Sequence, residues 1–404
     1  MEQLTLARIV GILQLRSLYT EVSLYTENEI YLLIKITQCE KSRNFDETFI
    51  GYSKLDCGIE DIPPPTMLTL NKHAQKVTKF IDFTSKSTCY SPFSLMHALS
   101  ILVKCSSDAS IKELVSKLEF DEQEMHKFSD SMKRDSSVTL AANIFDSHIE
   151  KIAKDFEATM LKLFEFVPEK LVSAAQVNSW CAEHTKNKIK EIVESIDGIS
   201  TILISAIHFK AAWAVKFDPK LTVEKQFKGF KGASTVQIMH LEKKLHYGEN
   251  KSVQIARLSY SNSALQALII LPRESTPAAF NAALCEKNLK VALLEETITL
   301  QLPRFKIESK FYLKEALTAL GVKKIFNSVD CTKTLGEVLQ VQDVIQKTFM
   351  EVNEEGTEAA AVTAIIELSY SKPVENKQMI CDRPFWFLLV NEIGGIVFAT
   401  SVVE

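Results

Sequence analysis

Apolar residues recur along this chain with two different periods. A spacing of about three to four residues, which is typical of a helix with one buried face, runs through residues 111–118 and 178–193. Mostly apolar, strand-like runs occupy residues 30–36, 265–271 and 385–390. The pattern therefore predicts a fold that mixes helices and sheet.

Three consecutive prolines, Pro63 to Pro65, interrupt this pattern. Proline lacks a backbone N–H and disrupts both helices and sheets, so a domain boundary is expected there. The sequence thus predicts an N-terminal extension of unknown role at residues 1–65 and a single α+β domain at residues 66–404.

Composition limits the classes of partner. The chain has 404 residues, 46% of them hydrophobic, which is enough to bury a large core. Its 47 basic and 51 acidic residues leave a net charge of −4, so no basic field favours nucleic acid or an anionic membrane. Apolar runs also stay shorter than the roughly 18 residues of a membrane helix. We expect neither nucleic acid nor membrane as a partner.

Eight cysteines lie far apart along the chain. Their spacing fits neither a metal site nor a disulfide framework, and it is compatible with a reducing compartment. The apolar stretch at 9–15 lacks the small-residue cleavage site of a signal peptide. These features favour a cytoplasmic location over an extracellular one, with no metal and no cofactor.

Motifs of the common enzyme classes are missing from the sequence. No HExxH zinc motif, GxSxG nucleophile elbow, GxGxxG or GxxxxGK[ST] phosphate loop occurs, and the chain has only 12 glycines. We therefore expect the protein not to be an enzyme.

One segment near the C-terminus carries the strongest functional signal. Taken alone, its run of alanines is compatible with a short helix. However, residues 354–363 resemble the serpin hinge, E-x-G-T-E-A-A-A-x-T, nearly residue for residue. The resemblance assigns these positions to the hinge: Glu354, Gly356, Thr357, Glu358, Ala359, Ala360, Ala361 and Thr363.

Further stretches resemble serpin motifs and follow one another in the family's order: S-P-F-S at 91–94, V-N-S-W at 177–180, A-I-H-F-K-A-A-W at 206–213, P-R-F-K-I at 303–307 and D-R-P-F at 382–385. The resemblance implies an α+β fold with three β-sheets, about eight or nine helices and an exposed reactive-centre loop at about 354–380. It also implies structural roles for Trp213, Pro384 and Phe385.

Serpins trap a protease when their cut loop inserts into a sheet as a new strand. Side chains of a strand alternate between its two faces, so every second hinge residue should enter the interior. We assign Thr357, Ala359, Ala361 and Thr363 inward, because small or weakly polar side chains can be buried. Glu358 then points outward, and Gly356 provides the pivot.

The resemblance places the bait residue fourteen positions after Gly356. This count gives the bond between Tyr370 and Ser371. The aromatic side chain of Tyr370 favours a chymotrypsin-like serine protease as the partner. We expect the inhibitor to be a monomer. Lys372 is a poor alternative for trypsin-like proteases because Pro373 follows it. Leu368 is a secondary possibility for elastase-like or papain-like proteases.

Serpins usually hold their sheet closed with two serines, an asparagine and a histidine, a group called the shutter. The corresponding residues are Ser91, Ser94, Ser205 and Gln346. Because serine is shorter than asparagine and glutamine cannot be protonated, we expect a rebuilt or water-bridged network. A non-inhibitory serpin that acts as chaperone, carrier or storage protein, and an inhibitor of cysteine proteases, stay open as alternatives.

Overall fold

A computed structural model of the chain describes residues 76–77, 79–119, 121–357, 376–391 and 395–404. The strand predicted at residues 30–36 and the boundary predicted at Pro63 to Pro65 lie outside these residues.

Eight α-helices lie within the described residues: α1 Pro92–Cys105, α2 Ala109–Leu118, α3 Glu122–Arg134, α4 Lys154–Phe164, α5 Ala174–His184, α6 Pro277–Ala282, α7 Glu286–Leu289 and α8 Lys314–Ala319. Two short 3-10 turns, Pro219–Leu221 and Lys324–Phe326, accompany them. Helix α2 confirms the helical pattern at 111–118.

The second predicted helical segment, 178–193, is helical only as far as His184. Lys186 and Asn187 follow with φ angles of 54° and 61°, which a right-handed helix cannot contain. Beyond them, Asn178 accepts hydrogen bonds from the backbone N–H groups of Ile192 and Val193. The apolar spacing at 189–193 therefore reflects burial of an irregular segment and not a helix.

The strands of the described residues are β1 Thr88–Tyr90, β2 Val138–Asp146, β3 Glu169–Lys170, β4 Thr201–Phe209, β5 Ala211–Ala212, β6 Val223–Gly229, β7 Gly232–Glu249, β8 Val253–Ser259, β9 Gln266–Pro272, β10 Leu294–Pro303, β11 Phe305–Tyr312, β12 Val329–Cys331, β13 Glu337–Leu339, β14 Asp343–Val352, β15 Gly356–Thr357, β16 Lys377–Ile380, β17 Phe385–Val390 and β18 Ile396–Val402. Strand β17 matches the predicted run at 385–390, and β9 matches 265–271 within one residue.

These strands form three sheets, in agreement with the predicted fold class. A nine-stranded sheet has the order β1-β18-β17-β9-β8-β7-β10-β16, with β6 on β7, and β12 and β13 form a hairpin. In the seven-stranded sheet, the order is β3-β2-β4-β14, and β11 pairs with the other edge of β14. Helix α1 is almost entirely buried and packs against β4 and β18, so it lies between the two large sheets.

Both ends of the loop predicted at about 354–380 need correction. Glu354 is buried, Gly356–Thr357 forms β15, and Lys377–Ile380 forms β16 parallel to β10. The reason is that both ends pair with neighbouring strands, β15 between β14 and β5 and β16 at the edge strand β10. Among the described residues, no helix combines the length and the apolar character needed to cross a membrane.

Candidate functional site

The predicted hinge begins where two central strands of the seven-stranded sheet separate. Strands β4 and β14 pair in parallel from Ile202 and Asp343 up to His208 and Phe349. Beyond this last pair, β15 lies between β14 and β5, the short strand that follows β4, with Thr357 opposite Val352 on one side and Ala211 on the other. Gly356 and Thr357 of the predicted hinge thus already form a strand inside this sheet.

Gly356 meets the neighbouring strand at very short range. A Cβ atom at this position would lie 2.1 Å from the carbonyl oxygen of Ala211 and 2.7 Å from the Cα atom of Ala212. Both contacts are to backbone, which cannot move aside as a flexible side chain could. Glycine is therefore required here by close backbone approach, in addition to its predicted role as a pivot.

Glu354 is buried, and its carboxylate is paired with Arg304. The side chain is nearly buried, and its Oε1 accepts hydrogen bonds from Arg304 Nε at 2.7 Å and from the hydroxyl of Thr222. Burial alone would raise the pKa of Glu354, but the bonds from Arg304 and Thr222 outweigh this effect and lower it. Glu354 is therefore a charged residue with a fixed position at the start of the predicted hinge.

Trp213, which was predicted to be structural, lies directly against the hinge. Its Nε1 donates to the carbonyl oxygen of Asn353 and its backbone N–H donates to that of Glu355, both at 2.9 Å. Lys216 forms an ion pair of 2.5 Å with the carboxylate of Glu355. The segment that leads into β15 is thus held by several polar contacts from the chain that follows β4.

Thr357 of the predicted hinge is buried. Its side chain is fully shielded from solvent, and its Oγ1 lies 2.7 Å from the hydroxyl of Tyr260. Tyr260 directly follows β8 and lies in no recognisable motif, so the sequence alone did not point to it.

The four predicted shutter residues meet in one buried hydrogen-bond network. Gln346 accepts from the backbone N–H of Ser91 at 3.0 Å and donates to the carbonyl of Ser91 at 2.8 Å and to Ser94 Oγ at 3.1 Å. Ser94 and Ser205 join their hydroxyls at 2.6 Å. The network is therefore rebuilt by direct bonds between protein groups.

The remaining predicted site residues have different outcomes. Phe385 is buried and its ring centroid lies 6.4 Å from that of Phe305, and Pro384 before it is also buried, so both belong to the core. The other positions lie outside the described residues: Glu358, Ala359, Ala360, Ala361, Thr363, Tyr370 and Ser371.

The part of the chain that the structure describes holds no group of histidine, cysteine and carboxylate residues arranged to bind a metal ion. Six cysteines fall in this part, and all six are free thiols: Cys89, Cys105, Cys181, Cys285, Cys331 and Cys381.

Known proteins share this sequence and architecture. The family model described as "Serpin (serine protease inhibitor)" matches residues 69–404. Antichymotrypsin-2 of Bombyx mori is 30% identical over 75% of this chain and 88% of its own length. Antitrypsin of the same species is 29% identical over 78% and 88%. The crystal structure of Serpin48, a highly specific serpin of the insect Tenebrio molitor, superposes with a TM-score of 0.75, at 26% identity, over 86% of this chain and 99% of that one. The chain belongs to the serpin family.

Proposed function

We propose that this serpin inhibits a serine protease by inserting its cut loop into the seven-stranded sheet. The observation that carries the proposal is the position of Gly356 and Thr357 as strand β15 between β5 and the end of β14. Because strand pairing has already started there, the residues that follow can continue it once a cut releases their far end.

The chemistry of the trap belongs to the protease. Its nucleophile attacks the carbonyl carbon of Tyr370, the bond to Ser371 breaks, and Tyr370 stays attached to the protease as an ester. Insertion then moves this ester, and the protease with it, away from the loop's original position. A displacement of about 1 Å can cost on the order of a hundredfold in rate, so a distorted protease does not complete hydrolysis.

The composition of the hinge supports insertion. With Thr357 facing the interior, a continued strand turns Ala359, Ala361 and Thr363 to the same face. These side chains are small, and none carries a charge whose burial would cost several kcal/mol or more. A carrier or storage protein that never inserts its loop has no need of this sequence.

The shutter supports a sheet that is closed before cleavage. Gln346 satisfies backbone and side-chain groups of α1 without a titratable residue. Insertion must break the pairing of β4 with β14, and the new strand replaces it with a pairing on each side. We expect the closed sheet to persist until the loop is cut.

A chymotrypsin-like protease is the target class that we propose, because Tyr370 presents an aromatic side chain to a deep apolar specificity pocket. The names of the two relatives, antitrypsin and antichymotrypsin-2, point to different proteases. The proposed target class therefore rests on Tyr370 and not on these relatives.

The test is incubation of the protein with chymotrypsin, elastase, trypsin and a cysteine cathepsin, followed by denaturing electrophoresis. We expect a covalent adduct with chymotrypsin near one-to-one stoichiometry and a released peptide that begins at Ser371. Chymotrypsin without its nucleophile is the control and should give no adduct. Simple cutting, with every protease still active, would instead support a non-inhibitory serpin, and an adduct with the cathepsin alone would support the cysteine-protease alternative.

Thermal unfolding separates insertion from cutting. If the loop inserts, the protein cut at Tyr370 gains a strand of hydrogen bonds and buried side chains, and its midpoint should be far above that of the uncut protein. Equal midpoints would contradict insertion.

A further inference from the structure

The hinge start is held by one side chain from a distant part of the chain. Thr357 is fully buried, and its hydroxyl lies 2.7 Å from the hydroxyl of Tyr260. Tyr260 follows strand β8 of the other large sheet. The bond therefore joins the first inserted residue to a different layer of the protein.

The ring of Tyr260 is fixed from two sides. It stacks on Trp213, with ring centroids 4.5 Å apart and an interplanar angle of 13°, and it meets the ring of Phe209 edge-on at 4.9 Å. Trp213 in turn donates to the carbonyl oxygen of Asn353. The Tyr260 hydroxyl is thus held at the place where Thr357 must lie, and it needs no rearrangement to bind it.

The Tyr260 hydroxyl keeps its proton at every ordinary pH. Burial raises the pKa of Tyr260, and the hydrogen bond with Thr357 opposes this effect only in part. The bond therefore joins two neutral hydroxyls in the interior. If either hydroxyl is removed, the other is left buried without a hydrogen-bond partner, because water cannot reach it.

We propose that Tyr260 is a positioning residue that seats Gly356 and Thr357 in the sheet of the uncut protein and so fixes the starting point of insertion. This inference rests on the proposed inhibitory function. Insertion after cleavage competes with hydrolysis of the ester to Tyr370. Insertion should be faster when Thr357 is already paired in the sheet than when the hinge must first enter between β5 and β14.

Three variants test the role of the bond. Tyr260→Phe and Thr357→Val each leave one buried hydroxyl without its partner, which should shift the equilibrium between seated and released hinge by roughly tenfold. The double variant Tyr260→Phe with Thr357→Val removes both hydroxyls and keeps the shapes, so it should return close to the wild-type value. A residue that acts only through packing would not give this recovery.

The first measurement is the partition between adduct and cut serpin with chymotrypsin. Each single variant should be cut at Tyr370 as fast as wild type but should consume several-fold more serpin per trapped protease, while the double variant recovers. Wild-type stoichiometry in Tyr260→Phe, or a double variant worse than both single variants, would overturn the inference.

The second measurement does not depend on inhibition. Hydrogen exchange of the uncut protein, followed on peptides that contain Gly356 and Thr357, should be faster in each single variant than in wild type or the double variant. Unchanged exchange in Tyr260→Phe overturns the seating role even if wild type traps chymotrypsin. Conversely, wild type could fail to trap any protease while hydrogen exchange in the variants changes as expected. That result would contradict the proposed function but support the positioning role of Tyr260.

Discussion

Gln346 and Ser205 lie directly opposite each other on β14 and β4, yet their side chains bond to α1 and not to each other. Gln346 bonds to Ser91 and Ser94, and Ser205 bonds to the hydroxyl and the carbonyl of Ser94. The pair lies three positions before the last pairing, His208 with Phe349. The start of α1 therefore bridges the two strands that would separate if the loop inserts as proposed.

Replacing Gln346 should weaken the closed sheet. In Gln346→Met, the buried backbone N–H of Ser91 loses its acceptor while the side-chain volume is nearly kept. We expect a loss of about 1–3 kcal/mol in the free energy of unfolding of the uncut protein. Gln378→Met, at an exposed position on β16, is the control and should stay within about 0.5 kcal/mol of wild type. Urea unfolding measures both, and equal values would contradict a closing role for Gln346.

The bond between Arg304 and Glu354 should make stability depend on pH. The folded protein lowers the pKa of Glu354 below its ordinary value of 4.5. A carboxylate with a lowered folded pKa stabilises fully above that ordinary value, and its contribution disappears as the pH falls through the folded pKa. The difference in free energy of unfolding between wild type and Glu354→Gln, about 1–3 kcal/mol at pH 7, should therefore shrink below pH 4.5.

A matched control for this experiment is Glu351→Gln. Glu351 forms a longer ion pair of 3.8 Å with Lys306, whose side chain is 65% exposed. Pairs of this kind contribute about 0–1 kcal/mol, so this variant should resemble wild type throughout. A pH-independent difference between Glu354→Gln and wild type would contradict the assignment of the lowered pKa to stability.

Gly356→Ala should expel the hinge start from the sheet. Its Cβ atom would meet the backbone oxygen of Ala211 at 2.1 Å, an overpacking that costs about 1–3 kcal/mol. We expect faster hydrogen exchange in the hinge and a shift from adduct toward cut serpin. Gly198→Ala, whose φ of 72° is strained for alanine but whose Cβ meets nothing within 4 Å, should lower stability and leave the partition unchanged. Equal partition in both variants would refute the close-approach argument.

Opposite faces of the hinge should respond differently to charge. Ala359→Asp places a carboxylate on the face that Thr357 turns inward, so insertion should slow and most chymotrypsin should be released active. Ala360→Asp puts the same charge on the other face and should trap nearly as well as wild type. Mass spectrometry of the loop peptide and residual protease activity are measured together. Similar trapping by the two variants would show that the alternation is assigned wrongly.

Tyr370→Arg should redirect the protein from chymotrypsin to trypsin. An arginine can pair with the acidic residue at the base of a trypsin-like specificity pocket, whereas an aromatic side chain cannot. The hinge is unchanged, so the stoichiometry with trypsin should approach that of wild type with chymotrypsin. If the peptide that trypsin releases from Tyr370→Arg begins at a residue other than Ser371, Tyr370 is not the bait residue.

Local periodicity and residue order determined much of what the sequence predicted. The run at 385–390 matches β17, since six consecutive apolar residues leave no polar face and require a strand buried on both sides. The order of hinge residues after Glu354 identified the family, and the two-residue alternation predicted that Thr357 faces inward. Each of these conclusions depends on neighbours along the chain.

Only the tertiary structure decided which distant residues meet. Tyr260 and Thr357 are 97 positions apart, and Ser91 and Gln346 are 255 apart. Strand periodicity gives the face of a side chain but not its partner, because a partner depends on the register between strands and on which layers pack together. The same reason explains why the predicted loop limit at 354 was wrong: the gap that accepts β15 exists only where β4 and β14 separate.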